Sequence, residues 1–309
     1  MTKIKNGRVL SVLLALVLVL GTMCAVPVAA TDVSALNEAV ATTDVTYNIS
    51  SAADLVTLQN DVAALSAGSA SSPSVLNATV NLMNNIDMSG TEWTGIGVPQ
   101  QFKGFSGTFN GNGYTISGIS LTNSSNVGPK GGLFNLAVNA EVTNLTLEGS
   151  VNSNRFIGGL AGRVMGNFSV TNCDIDMSLT LNNGAANSVG GVIGQCGSGS
   201  GGGSGTGSGG TSGNTQGTVT ITNCNVDGTF SSNNNPVGGV IGHIYAGYAV
   251  EISGTTVSPS LSGTVAGIFI ANNASDSVEI ENCTIADSLL SLDIAGVNTG
   301  TIVFDGEEI

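Results

Sequence analysis

The side chains able to do chemistry are few, and the acids among them fall in a pattern. Asp174 and Asp176 flank Ile175, so on an extended strand both carboxylates face the same side. Asp227 stands where Asp176 stands, one repeat later, and the two are expected to stack. Two carboxyls held across a groove are the apparatus of a glycoside hydrolase. Stacked carboxylates repel, and solvent, protonation or a bound calcium ion relieves the repulsion. Asp174, Asp176 and Asp227 are thus the calcium candidates, and calcium is the one cofactor suggested. A polysaccharide lyase needs a strong base such as Arg or Lys. Arg155 and Arg163 fall at neighbouring turns and can face one surface, the stem of Arg163 covering coil surface. His243 is the single histidine, read as a turn residue, and no Ser or Cys in an evident nucleophile context accompanies it to form a triad. With no catalytic constellation evident, the chain reads as a non-enzyme. The candidate ligand contacts are aromatic: Tyr245 and Tyr248, then Trp93 and Phe102, of which Trp93 suits a core better.

Charge narrows the partners. Lys3, Lys5 and Arg8 precede an apolar stretch from Val9 to Leu20, and Val28-Ala29-Ala30 supplies small side chains, the layout of a signal peptide over residues 1–30. Beyond it only Lys103, Lys130, Arg155 and Arg163 carry positive charge, against 21 acids. Nucleic acid is excluded as a partner, because its affinity depends on neutralising phosphates with many cations. No later stretch is long and apolar enough to span a membrane, and an exported, extracellular or cell-surface location is expected. Residues 31–49 read as a linker.

What must position these side chains is a repeat. Gly-Gly-apolar triplets recur at Gly131-Gly132-Leu133, Gly158-Gly159-Leu160, Gly190-Gly191-Val192 and Gly238-Gly239-Val240, with Ala266-Gly267-Ile268 as a degenerate copy. Each is followed by a β-forming run that ends near Asn: Val142-Thr143-Asn144-Leu145, Val170-Thr171-Asn172-Cys173, Ile221-Thr222-Asn223-Cys224, Ile252-Ser253-Gly254-Thr255 and Ile280-Glu281-Asn282-Cys283. The steps between runs are near thirty residues except one of 51, and that one holds a Gly/Ser-rich loop at residues 197–217. Its composition marks a flexible spacer, and it lacks the ending of a phosphate-binding loop. Units with period-two alternation, frequent Gly and Asn and almost no charge do not suit helical repeats, which need long 3.6-period stretches. One coil cannot bury its apolar face alone, so coils stack and like residues align in columns. The reading is an all-β parallel β-helix over residues 50–309, with Cys173, Cys224 and Cys283 facing inward as buried thiols, the even count of four cysteines beyond residue 30 leaving disulfide pairing as the other reading. A capping helix at residues 50–66 starts at a box formed by Ser51 and Asp54 and buries Leu55, Leu58, Val62 and Leu65 over the first coil. At the other end, Asp305, Glu307 and Glu308 are placed to discourage edge pairing.

Residues 105–117, running from Phe105-Ser106-Gly107-Thr108-Phe109 to Tyr114-Thr115-Ile116-Ser117, then Gly132-Leu133-Phe134, resemble the entry to GLUG-motif β-helices. Gly159-Leu160-Ala161-Gly162, Gly191-Val192-Ile193-Gly194 and Gly239-Val240-Ile241-Gly242 look like the motif itself. The resemblance covers most of residues 50–290. It implies a right-handed parallel β-helix exported by a bacterium or archaeon, often part of a surface adhesin or secreted peptidase. The functions to separate are a module binding a glycan or cell-surface protein, a β-helix lyase or hydrolase, and a structural surface-layer component.

Overall fold

The computed structural model describes residues 45–64, 75–101, 104–123, 128–182, 187–197 and 217–308. The segment read as a signal peptide, most of that read as a linker, Leu65, Phe102 and residues 198–216 of the Gly/Ser-rich stretch lie outside them.

The described chain is a parallel β-solenoid. Twenty strands join into one sheet and eight into another, and every pairing is parallel except one hairpin at the end. In the smaller sheet, Ile86–Asp87, Thr115–Asn123, Thr146–Ser153, Asp174–Leu181, Asn225–Ser232, Thr256–Val257 and Thr284–Ile285 stack in order. The larger sheet bends into two arms. The long strands Phe134–Thr143 and Ala161–Thr171 run through the bend, where their register shifts between Met165 and Phe168. At that corner Asn139 (φ 51°) and Gly166 (φ 69°) adopt left-handed conformations, which Asn and Gly tolerate best.

The register aligns like with like, as the repeat predicts. Tyr47, Val80, Phe109, Val142, Val170, Ile221, Ile252, Ile280 and Phe304 form one column, buried from Val80 to Ile280. Alternate residues along each strand point outward, so the period of two becomes an apolar interior and a polar exterior. Phe105, Phe109 and Phe134 thicken the core near the first coils, the first and last stacking with centroids 5.1 Å apart. The 51-residue step joins the stack without slipping: Val170 pairs with Ile221, and Ile221 with Ile252.

The cysteines take equivalent places. Cys173, Cys196 and Cys224 are buried, Cys283 is half-buried, and all four are free thiols. In the column, each thiol donates to the carbonyl two residues back, at Thr171, Thr222 and Glu281, and to one in the coil below, at Val142, Val170 and Ile252. Thr255 fills the same place and repeats the local bond to Ser253. The preceding residues Asn144, Asn172, Asn223 and Asn282 have φ between 52° and 54°, and Gly254 takes their role at 58°. Thus Asn-Cys is one structural unit: a left-handed corner residue followed by a small inward side chain.

One part of the repeat alignment needs correction. Gly267 pairs with Gly238, the first glycine of its triplet, so Ala266 lies beside Val237 and Ile268 takes the second glycine's place. The side chain fits there because the next coil departs from register between Gly267 and Ile270.

The helix spans Ala52–Ala64 and buries Leu55, Leu58 and Val62 in the common core. The Asp54 amide donates to Ser51 Oγ at 3.3 Å, while the Ser50 amide donates to the Asp54 carboxylate at 2.9 Å and holds its pKa below the usual range. Tyr47 donates to Asp61 at 2.9 Å, and Thr94 donates its amide to Gln59, fixing the helix to strand and loop. The solenoid also begins before residue 50, since Val45–Ile49 is a strand paired with Ala78–Leu82 rather than linker. At the far end, Glu307–Glu308 turns back antiparallel on Ile302–Phe304, so exposed acids occupy that edge. Among the described residues no helix is long and apolar enough to cross a membrane.

Candidate functional site

The acids stack as expected but assemble little else. Asp176 pairs directly with Asp227, and Asp174 with Asn225. The Asn225 amide donates to Asp174 at 2.6 Å, and Asp227 accepts the amide of Gly228 at 2.7 Å. Among the described residues no group of three or more His, Cys, Asp or Glu side chains comes together to hold a metal ion. On its other side Asp176 pairs with Glu148, so Glu148, Asp176 and Asp227 form a ladder of outward acids across three coils, while Asp174 lies between Thr146 and Asn225.

Of the aromatic candidates, Tyr248 is displaced from the surface. It is fully buried, and its hydroxyl accepts the Gly166 amide at 3.0 Å and donates to the Val164 carbonyl at 3.4 Å. Tyr248 plugs the bend in the larger sheet, so its ring has no face for a ligand. Trp93 is also core, donating from Nε1 to the Gly132 carbonyl at 2.7 Å. Tyr245 stays half-exposed and lies against His243, ring centroids 4.1 Å apart, with Phe156 on the other side of the histidine at 5.9 Å. His243 is not in a turn. It projects from the strand Ile241–Ile244, in register with Gln195 on one side and Asn272 on the other. Burial lowers its pKa to about 4, so the imidazole is neutral at pH 7. Arg163 lies in the same ladder, paired with Gln195, and Arg155 is near enough for the two charges to act on each other. The neighbouring turns of the two arginines do face one surface.

The second arm of the larger sheet carries an open groove of about 510 Å³ that single residues in the sequence did not mark. Asn77, Ser106, Thr108, Asn139, Glu141, Asn167, Ser169, Thr218 and Thr220 line it. Thr108, Glu141, Ser169 and Thr220 are one outward column across four coils. Asn139 Oδ1 accepts the Asn167 amide at 2.9 Å, and Asn167 Oδ1 accepts that of Thr218 at 3.0 Å. Each side chain's Nδ2 then remains free to donate into the groove. The available sequence cue was that Asn139 and Asn167 sit just before the bend in consecutive repeats. Such a surface supplies hydrogen-bond donors and acceptors at the inter-strand spacing of ~4.8 Å, without a deep cavity.

No family model matches the chain. The likeness to GLUG-motif β-helices is therefore a resemblance of motifs alone. Over 168 residues the chain is 30% identical to halomucin of Haloquadratum walsbyi, a stretch covering 43% of this chain and 2% of that protein. Among solved structures, a candidate immunoglobulin A1 protease from Bacteroides ovatus is similar over 85% of this chain and 78% of that one, at 17% identity and a TM-score of 0.48. Nothing about activity passes to this chain from a likeness of that order.

Proposed function

We propose that the chain is an exported β-helix of GLUG type that binds a glycan or a cell-surface protein along its lateral face. The observation that carries this reading is the groove, in which four coils present an uninterrupted row of Asn, Ser, Thr and Glu side chains. Repetition suits a repetitive ligand, because successive coils offer polar groups at one spacing and weak contacts add along one rigid surface. The segment shared with halomucin supports an extracellular setting.

The test is a glycan and cell-surface-protein array probed with the protein and with the double variant S169R/T220R. Both positions face outward on adjacent strands, so long side chains there fill the groove without entering the core. A tenfold or greater loss of binding at an unchanged melting temperature is expected. Equal binding by the filled variant would remove the groove from consideration.

A further inference from the structure

The described cations share one region of the solenoid, although the chain has few cations to place. Among the described residues Lys130, Arg155 and Arg163 are the positive side chains; Lys130 pairs in register with Ile157, two residues from Arg155. Among the described residues no ion pair engages them, although the chain carries 21 acids. Burial lowers the pKa of Arg163, the charge of Arg155 lowers it further, and no carboxylate opposes them. Holding two guanidiniums together costs free energy unless an anion joins them.

Unpaired polar atoms gather at the same place. The Nε atoms of Arg155 and Arg163 and Oε1 of Gln195 are shielded from solvent and have no hydrogen-bond partner. Gln195 uses only its Nε2, donating to Gly197. Among the described residues no acceptor takes the terminal nitrogens of either guanidinium. Beside them stand the rings of His243 and Tyr245, both half-exposed, with Phe156 behind.

We propose that this corner binds the carboxylate of an acidic sugar, with Arg155 and Arg163 engaging the anion and Tyr245 and His243 stacking on the sugar ring. The planar guanidinium fork matches a carboxylate's two oxygens, and an aromatic face suits the apolar side of a pyranose. Gln195 completes the polar floor. A long, dense polyanion is disfavoured by the acids elsewhere, whereas a single carboxylate per sugar is not. This site lies on the other arm of the larger sheet from the groove and stands independently of it.

Calorimetric titration with a uronate tetrasaccharide, its methyl ester and an oligoglutamate peptide tests the assignment. The acid is expected to bind at least tenfold more tightly than the ester or the peptide. R155Q/R163Q should lower the acid to the level of the ester while groove-dependent array binding persists. If that variant does not fold, R163K keeps the charge and loses the fork, and a several-fold weakening is expected. Equal affinity for acid and ester, competition by oligoglutamate as strong as by the sugar, unchanged affinity in the arginine variants, or no binding of the uronate would each overturn the proposal.

Discussion

Asn172 illustrates how one side chain serves two demands. Its left-handed backbone, φ 54°, is costly for most residues, and its amide donates to Asn144 Oδ1 at 3.3 Å in the coil below. Asn172→Gly relieves the first demand and loses the second, whereas Asn172→Ala fails at both. The glycine variant should lie within about 1 kcal/mol of the parent and the alanine variant should lose about 1–2 kcal/mol in chemical denaturation. His243 provides a second measurement. Its folded pKa, about 4, lies below the ordinary value of 6.5, so between these values the unfolded chain binds the extra proton. Stability due to this group is thus complete above pH 6.5 and lost as pH falls toward 4. With allowance for the half-exposed ring, the loss is at most about 2 kcal/mol. NMR titration of the imidazole should give a midpoint near 4, and a midpoint near 6.5 would show the ring to be solvated.

At the scale of the coil, the paired glycines are where neighbouring turns touch. A Cβ on Gly159 would run into the carbonyl oxygen of Gly191 and the side chain of Ile175, and one on Gly191 into the carbonyl oxygen of Gly239. Gly159→Ala should therefore lower stability by about 1–3 kcal/mol, more than alanine at the outward Ser178, as thermal melting would show. These elements were legible in the sequence because the same constraint recurs in every coil: the triplets, the β-forming runs and the Asn-Cys corners all mark positions that stack. Legibility failed where a residue serves a single corner. Tyr248 reads as one more aromatic near a triplet, yet it is buried because it reaches the bend formed by Val164 and Gly166, more than eighty residues earlier. The groove was missed for a related reason, since its row of Ser, Thr, Asn and Glu has ordinary surface composition and only cross-coil register joins it. His243 and Arg163, 80 positions apart, meet through Gln195 in the same way.

In the molecule as a whole, cohesion comes from columns and ladders rather than charge, since no ion pair forms among the described residues and acids even face one another, as Glu251 and Glu279 do. Coils interact with their immediate neighbours, and each is tolerant of what hangs from its edge. Between Cys196 and Gly217 the chain uses 20 residues where the next coil needs three, from Ile244 to Tyr248, without disturbing the register on either side. Replacing residues 197–216 with Tyr-Ala-Gly, the sequence of the neighbouring turn, should leave the melting temperature within a few degrees. The unequal coil would also leave a mechanical signature. Under tension applied at its two ends by an atomic-force cantilever, a solenoid peels one winding at a time, and a winding of about 30 residues releases roughly 100 Å of contour. The winding that contains the insertion would release roughly 170 Å, an oversized tooth in an otherwise regular sawtooth that reports when the fracture front passes.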